Sequence, residues 1–570
     1  MKFRDTIKLI FFFLEILCVK IQNKWMISSD ESLRFVMQIF SFSPFGYEGS
    51  LVTVEVDLRR GIPAVDIVGL ADGAVKESRE RMRSAIRNSG YEFPMERVLI
   101  SLSPADLRKE GAGFDLAVAL GVLSASENLK GKSKEISGLE NSLIDEDILV
   151  MGELELSGHL RPVRGVHAAV STAASCGIRF CVVPRENAAE AREVSGMKVF
   201  AAENLEEAFE AVHNADVFTS GLDCRNEDEI PVGFELIDGV LFSKANDGLD
   251  FSMVKNQTVL VRALQIAACG GHNVLAFGPP GCGKTMCMQR FGELIPALTV
   301  EEAYPVTRIY SLAGILNGKN PLMRIPPFRM PHQTASIEGM CGGGINCRPG
   351  EISLSHNGVL FLDEAAEFRS SVLQMLRVPL ESRSITLCRA GRSTTYPAGF
   401  QLLMATNPCP CGNYGSESRI CLCSARAVEM YWKKFSGPLL DRIDIRVKVE
   451  GNSGNNRTGE MNEKSADILP LSTKELRKKI ACGIKIQRSR QGFKNAMMKP
   501  DDILKFCSLS KDADGYLKKE SEALEFSPRA IASCLKVART IADMEESDDI
   551  KLVHIKEAVV LRKCEGGFEM

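Results

Sequence analysis

A chain of 570 residues, 45% hydrophobic and 25% charged, is too long for one core and too apolar for a disordered polymer, so it reads as a globular protein of two to four domains. Its formal charge of −3 excludes a globally basic nucleic-acid binder, yet leaves room for a local basic channel inside an assembly. The 18 cysteines are scattered rather than densely framed, which excludes a small secreted disulfide scaffold and suits reduced thiols in the cytoplasm.

Residues 1–36 hold one apolar run, Leu9 to Val19, interrupted by Glu15. The run is too short to span a bilayer and no clear cleavage site follows it. We read 1–36 as an extension outside any domain, with translation starting at Met26 or Met37; a weak signal peptide or anchor is the alternative. No membrane association is expected. Residues 37–214 then alternate strands and helices. "LVTVEVDL" (51–58) carries Val52, Val54, Val56 and Leu58 on one side with period two, and "GAVKESRERMRSAIRNSG" (73–90) is a charged helix with Val75, Met82 and Ile86 on its apolar side, closed by Gly90. This is one α/β domain. Residues 215–250, polar and acidic, read as a linker or a poorly packed connection. A second α/β block spans 251–450, an exposed polar loop 451–470, and a small helical domain 471–570.

The second block carries the chemistry. "NVLAFGPPGCGKTMCMQRF" places G-x-x-x-x-G-K-[ST] between a short apolar strand and a helix. Gly278, Pro279, Pro280, Gly281, Cys282 and Gly283 form a loop whose backbone amides can approach phosphates, aided by the positive potential of the helix start. Lys284 is expected to reach the terminal phosphates of ATP, and Thr285 to offer its hydroxyl to magnesium. "GVLFLDEAAEF" (358–368) is a buried parallel strand ending in two carboxylates: Asp363 would hold Mg2+, and Glu364 would deprotonate the attacking water. "FQLLMATN" (400–407) is a further buried strand, ending in Asn407 at the same sheet edge, where an amide can position that water.

Together "GPPGCGKT", "FRMPHQTAS", "GGGINCRPGEISLSHNGVLFLDE", "YPAGFQLLMATNPCPCG" and "SGPLLDRIDI" closely resemble the magnesium-chelatase-like AAA+ ATPases of the YifB/ComM family, from about Phe40 to the C-terminus. The resemblance implies an α/β multidomain chain: a Lon-protease-like N-terminal α/β domain, a P-loop AAA+ parallel-sheet domain and a small C-terminal helical domain. It implies that Arg442 is an arginine finger completing a neighbouring subunit's site, that Arg529 is the sensor-2 arginine, and that the chains form a ring, a homo-hexamer. "HQT" departs from the family's His-His-Thr. His332 and the glycines 342–344 fall where such ATPases insert an axial-loop element. The family's Lon-like domain would need a serine and a lysine for proteolysis. Gly113 stands where the serine would be and His167 lies near the lysine's position, so proteolysis is not expected.

The ComM-type members are helicases that drive branch migration during transformation, so single-stranded or branched DNA is the expected partner. "SRSITLCRAGRSTTYPAG" (382–399) reads as a hairpin that would present Arg389 and Arg392 to DNA in the pore. The helix bearing Arg79, Arg81, Arg83 and Arg87 is either a phosphate-contacting or a solvated face. A chelatase-type motor subunit and a protein-remodelling ATPase are the rival readings. Finally, Cys409, Cys411, Cys421 and Cys423 form C-x-C-x9-C-x-C, a set that suits tetrahedral Zn2+. Reactive or disulfide-forming thiols and buried free cysteines are the alternatives.

Overall fold

The computed structural model describes residues 39–563, apart from 71, 108, 110, 130–145, 221–229, 317–320, 390–391, 415–419 and 451–470. The N-terminal extension and the polar 451–470 loop therefore lie outside the described residues. In the first domain the alternating strand Ser50–Arg59 buries Val52, Val54, Val56 and Leu58 and pairs antiparallel with both Ile39–Ser43 and Arg97–Ser103. Parallel strands Ile148–Val150, Phe180–Pro184 and Lys198–Ala202 extend the sheet on the other side, giving eight strands in all. Its last strand, Thr219–Ser220, reaches past the expected boundary at 214 because it hydrogen-bonds to the edge strand Lys198–Ala202.

The helix Gly73–Asn88 starts at Asp72, whose carboxylate accepts from the Val75 amide at 2.8 Å, and it buries Val75, Met82 and Ile86. It packs on the helix Asp115–Leu129, which is apolar nearly all round because it is sandwiched between that helix and the sheet. One arginine of the charged face is spoken for. Arg81 donates to the buried carboxylate of Asp115 at 2.8 and 3.1 Å, so it is the partner that makes burial of Asp115 tolerable.

The ATPase sheet is parallel throughout, in the order Phe328–Arg329, Val359–Leu362, Gln401–Thr406, Val274–Phe277, Ile445–Lys448. Its inner strands are fully buried, and Val274–Phe277 and Val359–Leu362 are unbroken apolar runs, because helices cover both faces. The C-terminal helices Thr473–Arg490 and Pro528–Met544 share one core with the sheet and with the helix Thr258–Gly270.

The stretch 215–250 corrects the linker reading. It contains a hairpin, Phe234–Ile237 with Val240–Ser243, that buries Val240 and Phe242 in this core. Arg477, fully buried, fastens the hairpin by donating to Glu235, to the Ser243 carbonyl (2.8 Å) and to the Glu293 carbonyl (2.6 Å). Its few apolar residues sit in an acidic stretch, and the arginine that fastens them lies over two hundred positions away, so composition alone conceals the hairpin. The two domains are latched as well. Arg308 donates to the carbonyls of Tyr47 (2.9 Å) and Glu48 (2.8 Å), and the Tyr47 amide donates to Thr394 Oγ1 (3.0 Å), on a second hairpin, Ser384–Arg389 with Arg392–Pro397, against which Gly46 also packs.

Candidate nucleotide site

The P-loop leaves the fully buried strand Val274–Phe277 at Gly278, where a Cβ would lie 2.1 Å from the Val449 carbonyl oxygen. Only glycine lets the chain turn there. Gly281 and Gly283 have φ of +79° and +87°, the left-handed conformation that wraps the loop around Lys284. Lys284 is 8% exposed, and its Nζ donates to the carbonyls of Gly278 (2.7 Å) and Pro279 (2.8 Å) and lies 3.5 Å from Asn407 Oδ1. Burial pushes its ammonium below the ordinary lysine range, against the opposing pull of Cys282, Asp363 and Glu364. Neutral carbonyls hold a cation that charge-assisted bonds to phosphate oxygens would hold more strongly.

Thr285 Oγ1 donates to Asp363 Oδ1 at 3.0 Å. A hydroxyl and a carboxylate meeting at this point form the hard oxygen set that magnesium takes, so these residues fit the ion. Glu364 follows in the left-handed region with φ 48°, a strain of about 1–3 kcal/mol that turns its side chain out to solvent at the strand end. Lys284, Thr285, Asp363, Glu364 and Asn407 thus converge from three strand ends at the carboxyl edge of the parallel sheet, the edge where open α/β sheets bind ligands.

The two arginines implied by the resemblance lie elsewhere. Gly271, Asn273, Phe400, Arg442 and Asp444 precede strands 274–277, 401–406 and 445–448 and line a cleft of about 130 Å³ at the amino edge of the sheet. Arg529 enters the same cleft from the C-terminal domain, together with Arg383 and Lys536. Four residues of strand separate the two edges by about 13 Å. Arg442, its side chain 13% exposed, donates to the carboxylate of Glu381 and to the Pro438 carbonyl at 2.6 Å. Asp444 backs the cleft. Burial would raise its carboxyl, but the bond and charge of His272 (3.3 Å), the Ser533 hydroxyl and the charge of Arg562 bring it down to about 2. Glu381, His272, Asp444 and Lys536 were not legible as site residues; the adjacency of Asp444 to Arg442 in "DRID" is the one local cue.

The expected hairpin forms as Ser384–Arg389 paired with Arg392–Pro397, with Arg389 opposite Arg392 and exposed near its tip. Arg392 is not free: its guanidinium lies 3.6 Å over the Phe45 ring of the first domain. His332 is exposed and bonded to Thr334 at 2.8 Å, and Gly342–Gly343 pairs with Arg348–Pro349. In the first domain, Gly113 lines a cavity of about 610 Å³ that also receives Arg164, Glu190 and Ser311 from both domains. Ser311 donates to Glu190 at 2.8 Å. His167, 2% exposed, stacks on Tyr304 at 6.0 Å with neither ring nitrogen hydrogen-bonded, and burial pushes its pKa down to about 4. Neither group makes a serine–lysine pair at this cavity.

The four cysteines gather. Their Sγ atoms all lie within 4.8 Å of one another, and Cys409, Cys411 and Cys421 are separated by 3.4, 3.6 and 3.7 Å. No described helix is long and apolar enough to cross a membrane.

Comparison with known proteins agrees with this architecture. The model of the magnesium chelatase subunit ChlI matches residues 250–457, that of subunit ChlI of Mg-chelatase 54–187, and that of the ChlI C-terminal region 471–562. The chain is 38% identical to the competence protein ComM of Haemophilus influenzae over 92% of this chain and 97% of that protein. It is likewise 38% identical to the protein YifB of Escherichia coli, over 91% and 95% of the two. A stretch of 164 residues is similar to Lon protease 1 of Thermus thermophilus, 26% identical over 28% of this chain and 19% of that protease. The chain belongs to the YifB/ComM family of magnesium-chelatase-like AAA+ ATPases, with a Lon-like domain ahead of the motor.

Proposed function

We propose that this chain hydrolyses ATP as a cytoplasmic homo-hexameric ring and uses the energy to migrate or unwind branched DNA during recombination or transformation. One observation carries the ring: the P-loop group occupies the carboxyl edge of the sheet, and Arg442 and Arg529 share a cleft at the amino edge. An arginine on that edge serves another protomer's nucleotide. Within a site, Lys284 binds the terminal phosphates, Asn407 orients the attacking water, and Glu364 takes its proton. Thr285 and Asp363 hold magnesium, which neutralises charge on the phosphates. Arg442 and Arg529 of the adjacent protomer stabilise the charge that develops on the transferred phosphoryl group.

The DNA substrate is supported by the competence protein's name and by the exposed Arg389 at the hairpin tip, repeated around a ring. ATP hydrolysis measured with and without single-stranded and branched DNA tests it, with stimulation expected. Arg389→Ala should leave basal hydrolysis intact and weaken DNA binding and its salt dependence; unchanged binding removes the hairpin from the DNA path. A second reading, a chelatase-type motor subunit, is favoured by the names of the matching family models, and a protein-remodelling ATPase by the Lon-like domain. Hydrolysis indifferent to DNA would transfer the case to one of them.

A further inference from the structure

The four cysteines are the one cluster among the described residues that could hold a metal ion and that the nucleotide chemistry leaves unused. Their dimensions are informative. A zinc ion at about 2.3 Å from each of four sulfurs in a tetrahedron sets the sulfurs about 3.8 Å apart. Cys409, Cys411 and Cys421 stand 3.4, 3.6 and 3.7 Å apart, and Cys423 completes the group within 4.8 Å. Disulfides would draw pairs to about 2.05 Å, and an iron–sulfur cluster with bridging sulfides needs a wider box. The surroundings suit a thiolate site as well. The Tyr414 amide donates to Cys409 Sγ at 3.3 Å, the kind of backbone bond that orients and stabilises a metal-bound sulfur. Cys409 is fully buried, while Cys421 and Cys423 pack against the same core from a stretch with no regular structure.

The position of the box matters more than its composition. Gly412, with φ +78°, lies between the two halves, and a Cβ on it would meet Pro280 Cδ of the P-loop at 2.7 Å. Two residues before the box stands Asn407, 3.5 Å from Lys284. The Pro408 carbonyl accepts from the Trp432 indole at 2.9 Å, and the helix Ala425–Trp432 begins directly after Cys423. Among the described residues the box is thus the one ligand cluster that an ion could close between the sensing strand, the P-loop and that helix.

We propose that Cys409, Cys411, Cys421 and Cys423 bind one structural zinc ion, and that this ion presses the Gly412 turn against Pro280 and so fixes the P-loop for nucleotide. Binding replaces four thiol protons: four Cys–SH and Zn2+ give the tetrathiolate and four H+. The coupling to nucleotide rests on the reading of Lys284 as the phosphate ligand, and the test separates the two.

Full-length protein is purified without chelator and its metals counted, then a mercurial that modifies thiols is added in the presence of a zinc indicator. One zinc per chain, released as four thiols react, is expected. Cys421→Ser and Cys423→Ser should each lose the zinc and bind ATP about tenfold more weakly or worse, whereas Cys388→Ser, at an exposed thiol on the hairpin, should change neither. Lys284→Ala should lose ATP binding and keep its zinc; if it still binds ATP, the phosphate reading fails while the metal count stands. Metal-free wild-type protein, zinc retained by both serine variants, or iron in place of zinc would overturn the proposal. Zinc lost with ATP affinity unchanged would overturn the brace.

Discussion

The trans role of Arg442 is best tested against the pair it makes within its own protomer. Arg442 donates to Glu381, whose side chain is 60% exposed. A pair with one partner in water is worth about 0.2–1 kcal/mol, so releasing Arg442 costs no more than roughly fivefold in an equilibrium. If the arginine only tethers Glu381, Arg442→Ala and Glu381→Gln should have equal and small effects. If it meets the transferring phosphoryl group of a neighbour, Arg442→Ala should slow hydrolysis by about 10³–10⁵ while Glu381→Gln stays within about fivefold. Steady-state phosphate release at saturating ATP reads both. A mixing experiment then fixes which protomer the arginine serves. Lys284→Ala chains keep Arg442, and Arg442→Ala chains keep Lys284. In randomly mixed rings about one interface in four joins an intact P-loop to an intact arginine, so roughly a quarter of wild-type activity should return from two inactive stocks. A mixture as inactive as its components would place both groups in one chain's site and refute the argument from the sheet edges.

Three further outcomes follow from local geometry. Gly278→Ala puts a methyl 2.1 Å from the Val449 carbonyl oxygen and should abolish ATP binding and lower the Tm, whereas Gly281→Ala, with open space but φ +79°, should cost about 1–2 kcal/mol, or 5–30-fold in nucleotide affinity by titration. His167 has a folded pKa of about 4, below the unfolded value near 6.5, so the unfolded chain binds the proton more readily. Its contribution is therefore intact above pH 6.5 and lost as pH falls towards 4, by about 3 kcal/mol; denaturant midpoints across that window should fall for wild type and flatten for His167→Leu. Arg477→Met leaves Glu235 and Glu293 without their buried counter-charge and should destabilise the motor by about 3–5 kcal/mol in thermal unfolding, which would not occur if residues 234–243 were a loose tether.

What could be read from the chain alone divides by the reach of the interaction. The P-loop and its two carboxylates were legible because each is a local event: glycines that must take left-handed φ, an apolar run that must be a buried strand, and charges at its end. Their convergence needed only the rule that parallel strands open their binding sites at one edge. Arg442 and Arg529 were named singly, but nothing in either neighbourhood says that 87 positions of chain, including a whole change of domain, return Arg529 to the cleft of Arg442. The hairpin 234–243 was misread for the same reason, since Arg477 alone makes its acidic surroundings tolerable in the core. The cysteines show the limit most sharply. Their spacing suits a ligand set without excluding free or disulfide-forming thiols, and only the fold brings Gly412 onto Pro280, more than a hundred residues earlier. That contact turns four cysteines from an isolated clip into a wall of the nucleotide site. With the ion bound as proposed, a P-loop rich in glycine, which has little stiffness of its own, would be backed by a neighbour held at four points.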